Sequence, residues 1–139
     1  MRKLYLNISL ILIGLLVGSS FVKAQGAFNQ IYDRDTTLDA AFSVLQTKDG
    51  GYILGGVGSD IFAGYTPVWV VKTNCEGDTI WTSTIKISST GGDQLFSIAE
   101  LEDSSYVLSG TTQDTILLTA DIYLMKLDKE GNQEWITFY

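Results

Sequence analysis

Residues 39–85, DAAFSVLQTKDGGYILGGVGSDIFAGYTPVWVVKTNCEGDTIWTSTI, return 54 positions later (93 − 39) as residues 93–139, DQLFSIAELEDSSYVLSGTTQDTILLTADIYLMKLDKEGNQEWITFY. The two copies align without a gap over 47 columns (85 − 39 + 1) and share twelve identical residues. In the first copy these are Asp39, Phe42, Ser43, Asp49, Tyr52, Leu54, Gly56, Asp60, Lys72, Glu76, Gly77 and Trp81. A repeat of this period indicates stacked supersecondary units that bury their apolar faces against each other.

Each copy reads as four short strands with turn residues between them. Asp49 and Gly50 favour a tight hairpin turn after the first strand, and Gly77 supplies the left-handed conformation needed after the third. The predicted strands are 42–47, 52–57, Val68–Thr73 and Thr79–Ile85 in the first copy, and 96–101, 106–111, 121–127 and 133–139 in the second. Gly56 and Gly110 lie inside second strands, where glycine indicates close approach of a neighbouring backbone.

The third predicted strand of each copy is a continuous apolar run, VWVV at 68–71 and IYLM at 122–125. Such runs are typical of strands covered on both faces, whereas the fourth strand alternates and is predicted at the wetter outer edge. Four-stranded units with buried faces are typical of propeller blades. The sequence therefore predicts an all-β fold of two tandem four-stranded antiparallel blades plus one N-terminal strand, an incomplete β-propeller. An eight-stranded β-sandwich is the structural alternative.

Residues 1–24 have the features of a secretory signal peptide. A basic start precedes an apolar run at 4–17, and Val22 and Ala24 place small residues before the predicted cleavage point. Cleavage after Ala24 gives a mature chain of 115 residues (139 − 24). An uncleaved membrane anchor is the alternative, although the run is short for a bilayer span. No later stretch is apolar enough to span a membrane stably, so the predicted location is secreted or at the cell surface.

The mature chain divides into three predicted parts. Residues 25–38 hold a strand equivalent to a blade's outer strand, because 27–31 falls on the predicted fourth strand at the same offset. Residues 39–92 are blade repeat 1, and residues 93–139 are blade repeat 2. Two blades do not close a ring, which takes about four or more. The predicted partners are therefore further propeller blades, supplied by a longer chain of which this is a piece or by another protomer.

The chain is acidic, with 9 basic and 16 acidic residues and a formal net charge of −7. Removing the leader removes Arg2, Lys3 and Lys23, which leaves 6 − 16 = −10. Such a charge repels phosphate backbones, so nucleic-acid binding is not expected. Cys75 is the single cysteine, so the chain cannot form an internal disulfide and packing must hold the fold.

Two motifs of the first copy, TKDGGYILGG at 47–56 and WVVKTNCEGDTIW at 69–81, resemble the repeats of large secreted β-propeller proteins common in Bacteroidetes. Proteins of that class often end in a sorting domain for type IX secretion. The segment from Asp128 to Trp135 is similar to the Asp…Gly…Trp motif of quinoprotein propeller blades, in which the tryptophan packs between blades. These resemblances imply a secreted β-propeller architecture; they imply no quinone cofactor and no particular function.

The chain contains no histidine, which excludes Ser-His-Asp, Cys-His and His-ligated zinc chemistry. Paired carboxylates remain: Asp60 and Asp114 occupy equivalent loops, and Asp39 and Asp93 precede equivalent first strands. If repeated positions line one rim, these four could bind calcium, the one cofactor that the sequence leaves open. A pair of them could also serve a glycosidase. The simpler interpretation is that each accepts hydrogen bonds from nearby backbone amides.

Two interpretations of the function remain open from the sequence. The favoured one is a non-enzymatic exported segment that binds or scaffolds an extracellular protein or glycan. The other is a fragment of a propeller enzyme that acts on extracellular glycan or polymer. Lys72 and its equivalent Lys126 are predicted to pair with carboxylates of a neighbouring blade. Tyr106 and Trp81, which also recur, are predicted to pack between blades rather than to stack on sugars.

Overall fold

The structure is a computed structural model that describes residues 28–34, 38–59 and 64–139, and these form two four-stranded antiparallel sheets. Sheet 1 has the strand order β1-β2-β3-β4, and sheet 2 has the order β5-β6-β7-β8. The strands are β1 Leu38–Gln46, β2 Tyr52–Ser59, β3 Val68–Thr73, β4 Thr79–Ile85, β5 Asp93–Glu100, β6 Tyr106–Asp114, β7 Thr119–Leu127 and β8 Gln133–Phe138. Each copy of the repeat builds its own sheet, which confirms the predicted all-β fold of two blade-like units.

The two sheets share one hydrogen-bonding register at the 54-residue offset. The β1–β2 ladder is interrupted by a bulge at Phe42, and the β5–β6 ladder is interrupted at the equivalent Phe96. A second irregularity follows Lys72 in sheet 1 and Lys126 in sheet 2. The two bulged phenylalanines lie beside each other on the surface, with ring centroids 6.4 Å apart. The two sheets therefore repeat the same backbone structure, including the positions of its irregularities.

Sheet 2 packs face to face on sheet 1 through one apolar core. The buried residues of this core are Ile53, Val68, Val70, Leu95, Ile98, Tyr106, Leu108, Tyr123, Met125 and Leu127. Strand β5 lies closest to sheet 1, and its Leu95 and Ile98 contact Gly55 of β2. A Cβ on Gly55 would lie 2.7 Å from Cδ1 of Ile98. Glycine at this position therefore lets the second sheet approach the first.

Trp81 closes the outer edge of the junction between the sheets. It lies on β4, and its ring centroid is 6.1 Å from that of Tyr106 on β6. Its indole N–H donates to the carbonyl oxygen of Lys129, 3.0 Å away in the β7–β8 turn. Gly131 has a φ of 88°, and a Cβ there would lie 2.7 Å from the indole ring. The aromatic pair thus packs between the two units, as the sequence predicts.

The outward face of sheet 2, the face turned away from sheet 1, is open. In sheet 1 the equivalent face is covered, and its Val68 and Val70 are fully buried. The matching residues of β7 are Ile122, which is 57% exposed, and Leu124, which is half-buried. Within the described residues β7 is therefore covered on one face only, and the cover predicted for its second face stays a prediction.

Residues 28–34 run along the other face of sheet 1 without forming a strand. Phe28 packs against Gly77, with its ring centroid 5.6 Å from that of Tyr52, much as Trp81 packs in the junction between the sheets. Tyr52 and Gly77 match the partners of Trp81 at the 54-residue offset, whereas Phe28 lies 53 positions before it (81 − 28). The expected N-terminal strand does not form among these residues, because no described strand pairs with them.

Candidate functional site

The repeated carboxylates lie at one end of the two sheets, here called the loop end. This end holds the connection from β4 to β5 and the β6–β7 hairpin, residues 115–118. The opposite end, the turn end, holds the short turns that follow β1, β3, β5 and β7. Asp39, Asp93 and Asp114 belong to the loop end, and Asp60 falls outside the described residues.

Asp93 is a buried carboxylate at the start of β5, where it is 1% exposed. It accepts hydrogen bonds from the backbone N–H of Ile87 at 2.7 Å and of Ser88 at 3.0 Å, and from the hydroxyl of Thr112 at 2.6 Å. These bonds fasten the connection that crosses from sheet 1 to sheet 2. A buried carboxylate engaged by three donors serves the fold, since donors of the chain itself compensate its burial.

Asp39 repeats this arrangement at the start of sheet 1. Its carboxylate accepts a hydrogen bond from the backbone N–H of Arg34 at 3.0 Å. The bond matches the one from Ser88 to Asp93 at the 54-residue offset (88 − 34). The Arg34 guanidinium donates in turn to the carbonyl oxygen of Gly58 at 3.3 Å. Both aspartates therefore anchor the chain as it enters the first strand of a sheet.

Asp114 organises the β6–β7 hairpin. One of its carboxylate oxygens accepts hydrogen bonds from the backbone N–H of Leu117 at 2.9 Å and of Ile116 at 2.8 Å, and from the Thr90 hydroxyl at 3.0 Å. These donors, the Leu117 amide first, hold the pKa of the Asp114 carboxyl below its ordinary value. The ionised carboxylate caps the hairpin.

The same hairpin exposes three consecutive aliphatic side chains. Ile116, Leu117 and Leu118 are 73%, 70% and 87% exposed. Leu118 has a φ of 55°, a left-handed conformation that costs a residue with a side chain about 1–2 kcal/mol. Strained, exposed and apolar tips of this kind are typical of loops that meet a partner. Sequence reasoning missed this tip, although the letters ILL in a hairpin loop were its signal.

The three described calcium candidates, Asp39, Asp93 and Asp114, do not converge on a metal site in the part of the chain that the structure describes. Asp39, Asp93 and Asp114 each bind donors of the chain itself, as described above. Across residues 28–34, 38–59 and 64–139, no group of three or more Asp, Glu, Cys or His side chains could hold a metal ion. The hydrogen-bond interpretation therefore accounts for the three described aspartates.

At the turn end, Lys72 and Lys126 bind carboxylates of their own sheets. The Lys72 side chain is 4% exposed, and its Nζ lies 2.8 Å from Oδ2 of Asp49 in the β1–β2 turn. Lys126 lies 3.5 Å from Asp103, the equivalent of Asp49, and 2.8 Å from Glu134 of β8. The prediction that these lysines reach a neighbouring blade is wrong. Their position at the end of the third strand sets them beside the first turn of the same sheet.

The ion pair of Asp49 and Lys72 makes the free energy of unfolding depend on pH in the acid range. The hydrogen bond from Lys72, followed by that from Thr47, lowers the pKa of Asp49 from 3.8 to about 2. Because the folded-state pKa is depressed, the ionised carboxylate stabilises the fold above pH 3.8, and this stabilisation is lost as the pH falls from 3.8 to about 2. The Asp49 side chain is 58% exposed, so we expect a contribution of at most about 1 kcal/mol.

Replacing Asp49 with asparagine should flatten the acid dependence of stability between pH 3.8 and about 2. The measurement is the free energy of unfolding in urea at several pH values across that interval. Identical slopes for wild type and Asp49→Asn would show that the ion pair does not stabilise the fold.

An open groove of about 560 Å³ separates the two sheets at the turn end. Tyr106 and Trp81 form its apolar part, and Glu100 lies at its rim. Lys48 crosses the same junction: its backbone N–H donates to Glu100 at 2.8 Å, and its Nζ donates to the carbonyl oxygen of Leu101 at 2.9 Å. The groove is therefore a seam between blades, bridged by polar groups that bind each other.

No family model matches the chain, and a search of the curated proteins finds no match. Within the described residues, no helix has the length and apolarity that a membrane crossing requires.

Proposed function

We propose that this chain is an exported β-propeller segment that acts as a binding or scaffolding module outside the cell or at its surface, without catalysis of its own. The observation that carries the proposal is the repeated pair of sheets, stacked face to face at a shared core. Such a stack presents its loops on a rigid base, an arrangement suited to binding. The signal-peptide pattern at 1–24 and the likeness to secreted Bacteroidetes propellers support export.

The loop end is the surface that we assign to binding. There the hairpin at 115–118 places aliphatic side chains in solvent, while Asp114 holds its backbone. An apolar tip on an acidic chain favours an extracellular protein whose surface combines apolar and basic groups. In the sequence of the first copy, the equivalent loop also carries apolar residues, Ile61 and Phe62, which fall outside the described residues.

The alternative is a fragment of a propeller enzyme that acts on extracellular glycan or polymer. A glycosidase needs two carboxylates at a set separation across one sugar bond. At the described loop end, Asp39, Asp93 and Asp114 bind donors of the chain itself. The chain also has no histidine to serve as a general base. These features favour the binding role over catalysis.

The proposal can be tested with the protein exported from its full-length gene. Mass spectrometry should find a mature chain that begins at Gln25. A photo-crosslinking residue at Leu117, on the loop end, should give a discrete adduct with a protein of the native cell surface. The same probe at Glu130, on the turn end, is the control and should not. Equal adducts from both ends would refute the assignment, and release of reducing ends from extracellular glycans by the purified protein would favour the enzyme.

A further inference from the structure

We propose that the outward face of sheet 2 binds the opposite face of sheet 1 in a second copy of this chain, so that copies join head to tail. The inference rests on the propeller role proposed above, and it identifies a second copy of the chain as the partner of the two stacked sheets. The outward face includes Ser109, Ile122, Leu124 and Trp135. The receiving surface, called the entry face, is the face of sheet 1 turned away from sheet 2.

The outward face of sheet 2 repeats a face that is already in use inside the chain. At the 54-residue offset, Ile122 and Leu124 match the two β3 valines that are fully buried in the observed junction. Trp135 matches Trp81, which closes that junction by hydrogen bonding to sheet 2. Trp135 is 41% exposed. The outward face thus carries the apolar groups of a junction without the sheet that covers them.

The entry face of sheet 1 repeats the other half of the junction and contains a hole. A cavity of about 100 Å³ opens on it, lined in part by Leu54, Trp69 and Val71. At the 54-residue offset these match three residues that are fully buried beneath sheet 1, namely Leu108, Tyr123 and Met125. The cavity therefore lies on the part of the entry face whose equivalent in sheet 2 is covered by the core of the observed junction.

Side-chain volumes at the centre of the observed junction are unequal. Gly55 contributes no side chain, and the large side chains of Leu95 and Ile98 fill the space above it. A Cβ on Gly55 would lie 2.7 Å from Cδ1 of Ile98 and 2.9 Å from Cδ2 of Leu95. The junction is tight because the small and large residues are matched across it.

Relative to the observed junction, side chains are larger on the outward face of sheet 2 and smaller on the entry face, which favours a copy of this same chain as the partner. Ser109 takes the place of the glycine and would meet Ala41 and Val44, the smaller equivalents of Leu95 and Ile98; Val44 is 66% exposed. Leu124 on the outward face takes the place of Val70, and Val71 on the entry face takes the place of the larger Met125. Volume gained on one face is offset by volume lost on the other.

Residues 28–34 cover part of the entry face, and a second copy would displace them. Phe28 lies against Tyr52 and Gly77 in the position that tryptophan takes in the observed junction. It is 40% exposed, and its segment forms no strand. Trp135 of a second copy would take this position and bring its own strand, β8, with it. Phe28 therefore competes with Trp135 of a second copy for the same position on the entry face.

Head-to-tail contacts generate a closed ring when the rotation between copies allows it. Rings of this class have about four to eight blades, so a ring built from the two described blades of each copy would close at roughly two to four copies. Each mature copy carries a net charge of −10 (6 − 16), and repulsion between copies should weaken assembly at low salt. Added salt is expected to raise the assembled fraction.

The test measures the molar mass of the exported protein by light scattering and sedimentation over a range of concentration and salt. Leu124→Glu should raise the assembly midpoint by about tenfold or more, because it buries a charge at the centre of the contact. Ile80→Glu is the matched control, because the second repeat of the chain already has a glutamate, Glu134, at the equivalent position. This variant should assemble as the wild type does. Phe28→Ala should lower the midpoint.

Two results would overturn the inference: a wild-type protein that stays monomeric at high concentration and high salt, or a Leu124→Glu variant that assembles like the wild type. Thermal melting of each variant separates lost assembly from lost folding, and Ser109→Arg tests the same face if Leu124→Glu does not fold. A monomeric wild type would not contradict the binding role, because crosslinking at Leu117 tests the loop end independently of how many copies assemble.

Discussion

Replacing Asp93 with alanine is expected to lower the free energy of unfolding by about 3 kcal/mol or more. The carboxylate is 1% exposed and accepts hydrogen bonds from Ile87, Ser88 and Thr112. Alanine leaves these donors without their acceptor, and an unsatisfied buried donor costs about 1–3 kcal/mol. Urea unfolding of wild type and variant at neutral pH measures the difference.

The control for this prediction is Asp114→Ala at the same end of the sheets. The Asp114 donors Ile116 and Leu117 lie in an exposed hairpin where water can replace the carboxylate, so the loss should be much smaller than that of Asp93→Ala. Calcium should leave the melting temperature of the wild type unchanged if Asp93 serves only the fold. A rise in melting temperature with calcium that Asp93→Ala abolishes would contradict that role.

The second large effect is expected from alanine at Gly56. A Cβ there would lie 1.8 Å from the carbonyl oxygen of Ala40, beside the bulge of β1. The contact is with backbone, so the ladder itself must shift, and we expect a loss of about 3 kcal/mol or more, or failure to fold. Gly110→Ala should behave alike, since its Cβ would lie 1.9 Å from the carbonyl oxygen of Gln94. Thermal and urea unfolding measure both.

Alanine at two other glycines should cost less stability than alanine at Gly56. A Cβ on Gly55 would meet side-chain atoms of Leu95 and Ile98, which can partly move, so Gly55→Ala should cost less than Gly56→Ala. A Cβ on Gly92 would lie 3.6 Å from Cβ of Thr66, an ordinary contact, and Gly92→Ala should be nearly neutral. A destabilised Gly92→Ala beside a tolerated Gly56→Ala would contradict the described geometry.

The strands that were easiest to predict are those with the strongest local pattern. β3 and β4 have the observed bounds Val68–Thr73 and Thr79–Ile85, because an apolar run ends at a turn that Gly77 makes unambiguous. β1 begins at Leu38 rather than at 42, because the bulge at Phe42 lets the strand continue past a break in the pattern. A bulge shifts the side-chain alternation by one residue, and simple periodicity therefore stops at it.

The features that could not be predicted depend on three-dimensional neighbours. The partner of Lys72 is Asp49, 23 residues earlier (72 − 49), and only the strand register brings them together. The role of Phe28 depends on a one-residue departure from the 54-residue offset, with its ring placed on Gly77. For Asp93, repetition marked the position as special, but repetition alone does not distinguish a metal ligand from a buried hydrogen-bond acceptor.

The central claim, that each copy forms one sheet and that the sheets stack through Trp81, can be tested directly by NMR. Nuclear Overhauser effects should connect the Trp81 indole protons to the Hα protons of Gly131 and to the Tyr106 ring, and the Gly131 Hα resonance should shift upfield over the indole. Ladder contacts that pair a strand of residues 38–85 with a strand of residues 93–138, with no Trp81 to Gly131 effect, would contradict the account.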